Sequence, residues 1–181
     1  SEMCIRDRYD PKEGQITYNG VDLKDLDLHA WRQTIGYVPQ DVFLFSESIA
    51  DNIQFSPGDK QNESKMSQQI AAQHASIHEE ITSFHEGYET LVGERGVTLS
   101  GGQKQRISLA RALVNAPSIL LLDDSLSAVD AETERRILGY LDSLDKETTA
   151  IIITHRIFSL LNFDKIVVLE QGRVIQNGNH E

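Results

Sequence analysis

One continuous segment, Thr98–Asp130, constrains this sequence more than any other. A Ser-Gly-Gly turn at Ser100–Gly102 opens a helical pattern, and the later apolar run Ile119–Leu122 ends in Asp123 and Asp124. Glycine lets backbone N–H groups approach an anion closely, and a helix N-terminus adds unpaired donors and a favourable dipole. A buried strand that ends in acids is a usual way to hold Mg²⁺ beside a nucleotide. The segment therefore predicts two elements of phosphate chemistry.

The charge balance limits the class of partner. The 181 residues include 17 basic and 28 acidic side chains, which gives a net charge of −11. This balance argues against a protein that binds nucleic acid through the phosphate backbone.

A single cysteine, Cys4, allows no internal disulfide and suits a reducing compartment. No apolar run approaches the roughly 18 residues that a membrane-spanning helix needs.

Strand and helix patterns alternate along the chain. Strand patterns cover Ile16–Tyr18, Gln33–Val38, the β-branched run Thr149–Thr154, and the two sides of a hairpin at Gln171-Gly172. Asn19-Gly20 predicts a turn after the first strand pattern, and residues 57–62 predict a linker-like turn. Asp27 is a candidate cap for a short helix through Trp31, and helical patterns also lie within Ser46–Phe55 and after Ser100 and Asp130. One longer helix is predicted over Ile70, Ile77, Ile81 and Phe84, ending before Gly87. We therefore expect an α/β fold with a mostly parallel sheet, in which Thr149–Thr154 is buried and ligands bind at the carboxyl edge.

The motifs of this chain resemble one family closely. Leu99–Gln103 resembles the signature motif of ATP-binding cassette (ABC) ATPases, and Ile119–Asp123 follows at the spacing of the family's Walker B strand. The resemblance extends from about Tyr9 to Glu181. It implies a P-loop NTPase-like, mostly parallel sheet with an inserted helical subdomain. We expect an ATPase core subdomain from residues 9–40 and 116–181 and a helical subdomain with the signature motif at 41–115. Residues 1–8 do not resemble the segment expected before YDPKEG in the family, and we interpret them as a non-native remnant, which resequencing of the gene upstream of Tyr9 would test.

The resemblance implies roles for three residues at the sheet edge. Asp123 matches the Walker B aspartate that holds Mg²⁺. Gln40, in GYVPQDVFLF, matches the Q-loop glutamine, whose side-chain oxygen reaches Mg²⁺ and the attacking water. His155, at the end of IIITHR, matches the switch histidine, which donates a hydrogen bond to the γ-phosphate of ATP. Without the family context, each of these residues also fits an ordinary structural or surface position.

Two further segments are implied to serve a dimer interface. Ser127–Asp130 resembles the D-loop, which crosses to the partner subunit, although Asp130 also fits a helix cap. In the family the signature motif contacts an ATP that the partner subunit holds, which implies that role here for Ser100, Gly101, Gly102 and Gln103. Asp130 is assigned to the same nucleotide-binding interface.

Asp124 departs from the family pattern. The family usually has Glu at this position, as the base that orients or deprotonates the water attacking the γ-phosphate. Asp is one methylene shorter, which withdraws the carboxylate by roughly 1.5 Å, and misplacement on that scale costs on the order of a hundredfold in rate. The change resembles one half of heterodimeric ABC exporters, in which one site binds ATP but hydrolyses it poorly. A homodimer that tolerates Asp with reduced activity is the alternative.

A histidine cluster offers a rival site. His74, His78 and His85 fall near one face of a helical pattern, and an i, i+4 histidine pair can bind zinc. No carboxylate or cysteine completes the set, and the H-E-x-x-H pattern is absent because position 82 is Thr82. We therefore interpret these histidines as a solvated helix face.

Other motifs resemble the exporter type of cassette. YDPKEGQI, DVFLFSESIADNI and GERG are of this kind, and in exporters the surfaces around Gln40 and Glu94 meet the cytoplasmic ends of membrane helices. The resemblance implies ATP and Mg²⁺ as ligands and a second nucleotide-binding domain as partner, preferably a different one. It also implies a transmembrane domain upstream in the same polypeptide and a location on the cytoplasmic face of the membrane.

One family motif does not occur in these residues. The sequence contains no G-x-x-x-x-G-K-[ST] loop and no Gly-Lys pair, so it lacks the Walker A backbone amides and lysine that cradle phosphates. We therefore expect a fragment that is inactive by itself. Two alternatives stay open: a soluble ABC ATPase that acts on DNA or ribosomes, and a regulatory cassette that binds nucleotide without hydrolysis.

Overall fold

The computed structural model of the chain describes residue 11 and residues 13–55, 66–93, 96–144, 148–155 and 163–179. The chain divides into two compact units, Ser1–Thr34 and Ile35–Glu181. The sequence predictions for residues 1–8, for a turn at 57–62 and for Glu94 lie outside the described residues.

The first unit contains a short hairpin and a short helix. Strands β1 (Thr17–Tyr18) and β2 (Val21–Asp22) pair antiparallel. Asn19 and Gly20 connect them with φ angles of 50° and 82°, as a two-residue hairpin turn requires. Helix α1 (Leu28–Arg32) begins where the Asp27 side chain accepts hydrogen bonds from two backbone N–H groups. The predicted turn and the predicted cap are both confirmed.

The second unit is organised on a three-stranded parallel sheet. Its strands are β3 (Ile35–Val38), β4 (Ile119–Asp123) and β5 (Thr149–Ile153), with β4 in the middle. Parallel neighbours need a crossover connection; several helices connect β3 to β4, and one helix connects β4 to β5. This topology confirms the predicted α/β class. It also places the carboxyl ends of all three strands at one edge of the sheet.

Five α-helices and one short 3₁₀ helix, Gly87–Glu89, are described in the second unit. The α-helices are α2 (Ile49–Gln54), α3 (Gln68–His74), α4 (His78–Ser83), α5 (Gly101–Leu113) and α6 (Ala131–Asp142). All but α4 begin with a side chain that accepts a hydrogen bond from a first-turn N–H group, namely Ser48, Ser67, Ser100 and Asp130. Serine and aspartate are favoured there because their oxygens satisfy donors that have no partner within the helix.

The prediction of one longer helix over residues 70–84 is wrong, because α3 and α4 are separate. Ser76 lies between them with a φ of 54°, in the left-handed region. Its N–H donates to the Gln73 carbonyl oxygen at 2.9 Å, and the N–H of Ile77 donates to that of Ala72 at 2.9 Å. These two bonds form a Schellman helix end. Glycine is the usual residue at this position, so serine hid the break from sequence analysis.

Helix α5 lies directly against the sheet. Its apolar residues Ile107, Ala110 and Leu113 are buried, as is Val114, which follows its last residue. A Cβ atom at Gly36 of β3 would lie 2.6 Å from the Ala112 carbonyl oxygen and 2.8 Å from Pro117 Cγ. Glycine at this position therefore permits the close approach of helix and strand. In α6, Ile137, Leu138 and Leu141 are buried in the same core.

Strand β5 differs from its prediction as a buried strand. Ile152 packs against the core, but Ile151 and Ile153 are 48% and 50% exposed. Side chains alternate between the two faces of a strand, and one face of β5 is not covered by any described element.

The predicted hairpin at Gln171-Gly172 is confirmed: β6 (Ile166–Glu170) and β7 (Arg173–Gly178) pair antiparallel. No helix in the described residues has the length and apolar character to span a bilayer.

Candidate functional site

Two of the predicted site residues, Asp124 and His155, lie in contact at the carboxyl edge of the sheet. Asp123 is the last residue of β4, and Asp124 follows with a φ of 45° while its N–H donates to the Ile153 carbonyl oxygen at 2.8 Å. Asp124 Oδ1 lies 3.3 Å from Nδ1 of His155, beyond the end of β5. A positive φ is uncommon outside glycine, although aspartate tolerates it better than most residues. The unusual backbone of Asp124 thus coincides with the position predicted to be catalytic.

A small cleft adjoins this pair of residues. It is lined by Leu122, Asp124, Ser125, Leu126, Ser127, Ile152, Ile153 and Thr154. The Ser125 hydroxyl is buried and has no hydrogen-bond partner among the described residues. Burying an unpaired hydroxyl costs about 1–3 kcal/mol, and such a group usually indicates a water or ligand that completes the site. The Asp124 carboxylate beside this hydroxyl provides oxygen ligands of the kind that fit Mg²⁺ or a water molecule next to a phosphate.

Gln40 lies at the same edge of the sheet. It is exposed and follows β3 by two residues, and Val38 of β3 pairs with Leu122 of β4. The chain beyond Gln40 is held by Arg111, which donates to the carbonyl oxygens of Phe43 at 3.1 Å and Asn52 at 2.7 Å. Burial lowers the pKa of Arg111. Its role in ordering the segment after Gln40 was not predicted from the sequence.

The predicted signature motif forms the start of α5. Ser100 and Gln103 make a reciprocal capping box. The Ser100 Oγ accepts from the Gln103 N–H at 3.2 Å, and the Gln103 side-chain oxygen accepts from the Ser100 N–H at 2.8 Å. Ser100 and Gly101 are exposed, whereas Gly102 is buried. The first turn of the helix is therefore ordered by its own side chains and open to solvent on one side.

The start of α5 packs directly against the segment 127–130. Gln105 is buried; its side-chain oxygen accepts from the Ala128 N–H at 3.1 Å, and its side-chain nitrogen lies 3.4 Å from Ser127 Oγ. A Cβ atom on Gly102 would lie 2.6 Å from the Ala128 carbonyl oxygen. Gln105 was not predicted as a site residue, although a polar residue on the apolar side of an amphipathic helix was the available signal. The residues predicted as signature motif and D-loop thus form one packed unit.

Asp130 is confirmed as a helix cap. Its Oδ1 accepts hydrogen bonds from the N–H groups of Thr133 at 3.0 Å and Glu132 at 3.1 Å. The bonds from Thr133 are the largest cause of the lowered pKa of Asp130, because they stabilise the ionised carboxylate. A contact of Asp130 with a partner subunit stays a prediction.

A charged network joins α4 to the signature motif. Glu80 accepts hydrogen bonds from Gln103 Nε2 at 3.0 Å and from Arg106 Nη1 at 2.5 Å. Burial raises the pKa of Glu80, but the hydrogen bonds from Arg106 and Gln103 and the Arg106 charge outweigh it, so the net pKa is lowered. The role of Glu80 was not predicted from the sequence, because nothing in the spacing links residues that are more than 20 positions apart.

The three histidines do not share one solvated face. His74 stacks on Tyr140 of α6, with ring centroids 3.8 Å apart, and burial lowers the pKa of His74. His78 Nδ1 lies 2.8 Å from the Tyr88 hydroxyl. His85 is exposed as predicted. The prediction of a solvated face is therefore wrong for His74 and His78, which are half-buried against aromatic rings.

The contact between Gly102 and Ala128 leads to a stability prediction. Gly102→Ala is expected to lower the stability of the folded domain by roughly 1–3 kcal/mol, since the new methyl group overlaps a backbone carbonyl that cannot move aside freely. Gly101→Ala is the matched control, because its Cβ would make only an ordinary 3.6 Å contact with Ala128 Cβ. Thermal unfolding of the full-length protein measures both. Equal unfolding midpoints for the two variants would contradict the close packing of Gly102 against Ala128.

The fold and the site together define a class of protein. A parallel α/β sheet presents two carboxylates and a histidine at its carboxyl edge, and a glycine-led helix start lies against the loop that follows them. This is the organisation of a nucleotide-phosphate-binding domain. The chain belongs to the ABC transporter family, whose model matches residues 3–127.

Relatives and solved structures agree with this assignment. The chain is 46% identical over 175 residues to ABC transporter B family member 1 of Dictyostelium discoideum, covering 96% of this chain and 19% of that protein. It is 45% identical over 173 residues to the putative multidrug export ATP-binding/permease protein YgaD of Bacillus subtilis, covering 96% and 29%. Among solved structures, it matches a bacterial Atm1-family ABC exporter with ATP bound at 40% identity and a TM-score of 0.85, covering 95% and 30%. The chain thus spans less than a third of the length of these relatives.

Proposed function

We propose that the full-length protein is one half of an ABC exporter, in which ATP binding and hydrolysis at a dimer interface drive export across a membrane. The observation that carries the proposal is the position of Asp123, Asp124 and His155 at one sheet edge, in a chain with an intact signature motif. The match to an exporter structure with ATP bound and to a relative named for multidrug export supports it.

Each side chain at the sheet edge has a separate role in the proposed hydrolysis of ATP. Asp123 and Gln40 would hold Mg²⁺, which when bound to ATP neutralises charge on the phosphate oxygens. Asp124 orients the attacking water and accepts its proton. His155 donates a hydrogen bond toward the γ-phosphate, and its 3.3 Å contact with Asp124 keeps acceptor and donor adjacent. Ser125, whose buried hydroxyl is unpaired among the described residues, supplies a further polar group to the same cleft.

The two halves of the segment Thr98–Asp130 serve different nucleotides in this proposal. Ser100–Gln103 completes a site whose ATP is bound mainly by the partner subunit, and Asp130 approaches the interface beside it. Asp124 weakens hydrolysis at the site that contains this chain's own Walker B strand. We therefore propose a heterodimer in which this chain contributes the hydrolysis-impaired site. A homodimer with slow turnover at both sites is the alternative.

The 181 residues alone are proposed to be inactive toward ATP. They contain no Gly-Lys pair and no Walker A loop, so the β- and γ-phosphates have no lysine and no glycine-rich cradle within them. The active form includes a Walker A segment and a transmembrane domain of the same polypeptide. The cassette then lies on the cytoplasmic face of the membrane that contains this domain.

Purification of the full-length tagged protein from its native membrane tests the partner and the activity together. We expect a second, different cassette subunit to co-purify, and we expect ATP hydrolysis that is abolished when a chelator removes Mg²⁺. An extract that contains an untagged copy of the same chain is the control for self-association. A preparation that contains only this chain, as a dimer, would reject the heterodimer. Absence of Mg²⁺-dependent hydrolysis in either assembly would reject the exporter ATPase.

A further inference from the structure

The carboxylate of Glu80, on α4, uses its two oxygens on two different residues of α5. Its Oε2 accepts a hydrogen bond from Gln103 Nε2 at 3.0 Å, and its Oε1 accepts one from Arg106 Nη1 at 2.5 Å. Glu80 is 23 residues from Gln103 and 26 from Arg106 along the chain. The network therefore joins the α4 helix to the first and second turns of α5.

The contact with Gln103 determines how the side-chain amide of Gln103 is oriented. An ionised carboxylate only accepts hydrogen bonds, so the amide nitrogen must face Glu80 and the amide oxygen must face the other way. That oxygen accepts from the Ser100 N–H at 2.8 Å, which is half of the capping box. Glu80 therefore selects the amide orientation that fixes the backbone of Ser100.

The contact with Arg106 compensates a buried charge at the same place. The Arg106 side chain is 9% exposed, and its guanidinium also donates to the carbonyl oxygens of Ser76 at 2.7 Å and Gly102 at 3.2 Å. Glu80, which is 43% exposed, supplies the negative charge that such a buried guanidinium needs. Through Arg106 the network thus also holds the carbonyl of Gly102, in the first turn of α5.

We propose that Glu80 is a positioning residue for ATP hydrolysis, acting through Gln103 and Arg106 to hold Ser100–Gly102 in the geometry that contacts the phosphate bound by the partner subunit. This inference rests on the proposed function. Glu80 does not touch the nucleotide. Loss of the Glu80 carboxylate leaves the signature residues in place, but the backbone N–H groups of Ser100–Gly102 are less precisely oriented. This slows the chemical step more than it weakens ATP binding.

The test measures steady-state ATP hydrolysis of the full-length dimer with Glu80→Gln and with Glu80→Ala. Glutamine at position 80 presents an NH₂ group to one of the two donors, so at least one contact is lost. We expect kcat to fall by about tenfold while KM for ATP changes less than about twofold, since the partner's phosphate loop provides most of the ground-state binding. Glu79→Gln is the matched control, because Glu79 is the exposed neighbour on the same helix; it should retain wild-type kcat.

Two more variants, Glu80→Asp and Ser100→Arg, distinguish failure of the positioning role from failure of the proposed function. Glu80→Asp keeps a negative charge near Arg106 but is a methylene too short to reach both donors; we expect wild-type thermal unfolding and a kcat between those of wild type and Glu80→Gln. Wild-type kcat in both Glu80→Gln and Glu80→Asp, or an equal loss in Glu79→Gln, would overturn the positioning role. In the same preparation Ser100→Arg should lose hydrolysis. If it does not, the proposed function fails, rather than the role of Glu80 alone.

Discussion

Ser100→Arg in the full-length protein is expected to lower steady-state ATP hydrolysis by about a hundredfold or more. Ser100 is exposed at the start of α5 and forms the capping box with Gln103. Arginine removes the side-chain acceptor and places a long cation where the N–H groups of the first turn would meet the phosphate of the partner's ATP. Loss of a single oriented donor to a developing negative charge costs about 10²–10³ in rate in well-studied enzymes.

A second capping serine separates this effect from simple loss of helix stability. Ser67 is the exposed N-cap of α3, where its Oγ accepts from the Ile70 N–H at 3.3 Å. Ser67→Arg removes a comparable cap, worth about 1 kcal/mol, at a position with no proposed contact to nucleotide. We expect it to lower the unfolding midpoint while it keeps most of the ATP hydrolysis. Similar activities of the two variants would mean that the signature motif of this chain does not complete a catalytic site.

Asp124→Glu is expected to raise ATP hydrolysis at the site that contains this chain's own Walker B strand by about tenfold or more, because the longer side chain returns the carboxylate to the place from which a base reaches the attacking water. The backbone conformation of residue 124 is expected to make this variant less stable than the wild type. Residue 124 has a φ of 45°, a conformation that aspartate tolerates better than glutamate. The variant should therefore be faster but unfold at a slightly lower temperature.

Comparison with Asp124→Asn tests whether residue 124 acts as a base. Asparagine has nearly the shape of aspartate but cannot accept the proton, so it should lower whatever hydrolysis the wild-type site supports. The difference between the Glu and Asn variants, measured in a dimer whose other site is inactivated, isolates the site that contains Asp124. Unchanged hydrolysis in Asp124→Glu would show that the aspartate does not limit this site, and the asymmetric dimer would lose its main support.

The elements that could be predicted from the sequence are those that depend on residues adjacent in the chain. The caps at Asp27 and Asp130, the helix start at Ser100 and the turns at Asn19-Gly20 and Gln171-Gly172 are confirmed, since a cap or a tight turn depends on a few adjacent residues. The break between α3 and α4 was missed because Ser76 adopts a left-handed conformation that serine rarely adopts.

Burial was less predictable than secondary structure. The run Thr149–Ile153 is as apolar as a core strand, yet Ile151 and Ile153 are exposed. Apolar composition records which residues benefit from burial, whereas actual burial depends on which elements cover each face of the sheet. For the same reason, His74 and His78 looked solvated in the sequence but are half-buried against tyrosine rings.

The sequence by itself determined the chemistry of the segment Thr98–Asp130: a glycine-led helix start, two acids after an apolar strand, and the substitution of Asp124 for the family's glutamate. Only the tertiary structure decided how these parts are held. Three sets of contacts join residues that are about 20 to 30 positions apart in the chain. They are the 3.3 Å contact of Asp124 with His155, the hydrogen bond between Gln105 and Ala128, and the hydrogen bonds of Glu80 with Gln103 and Arg106. Motif spacing reports neighbours along one element, and contacts between elements arise only when the strands align and the helices pack.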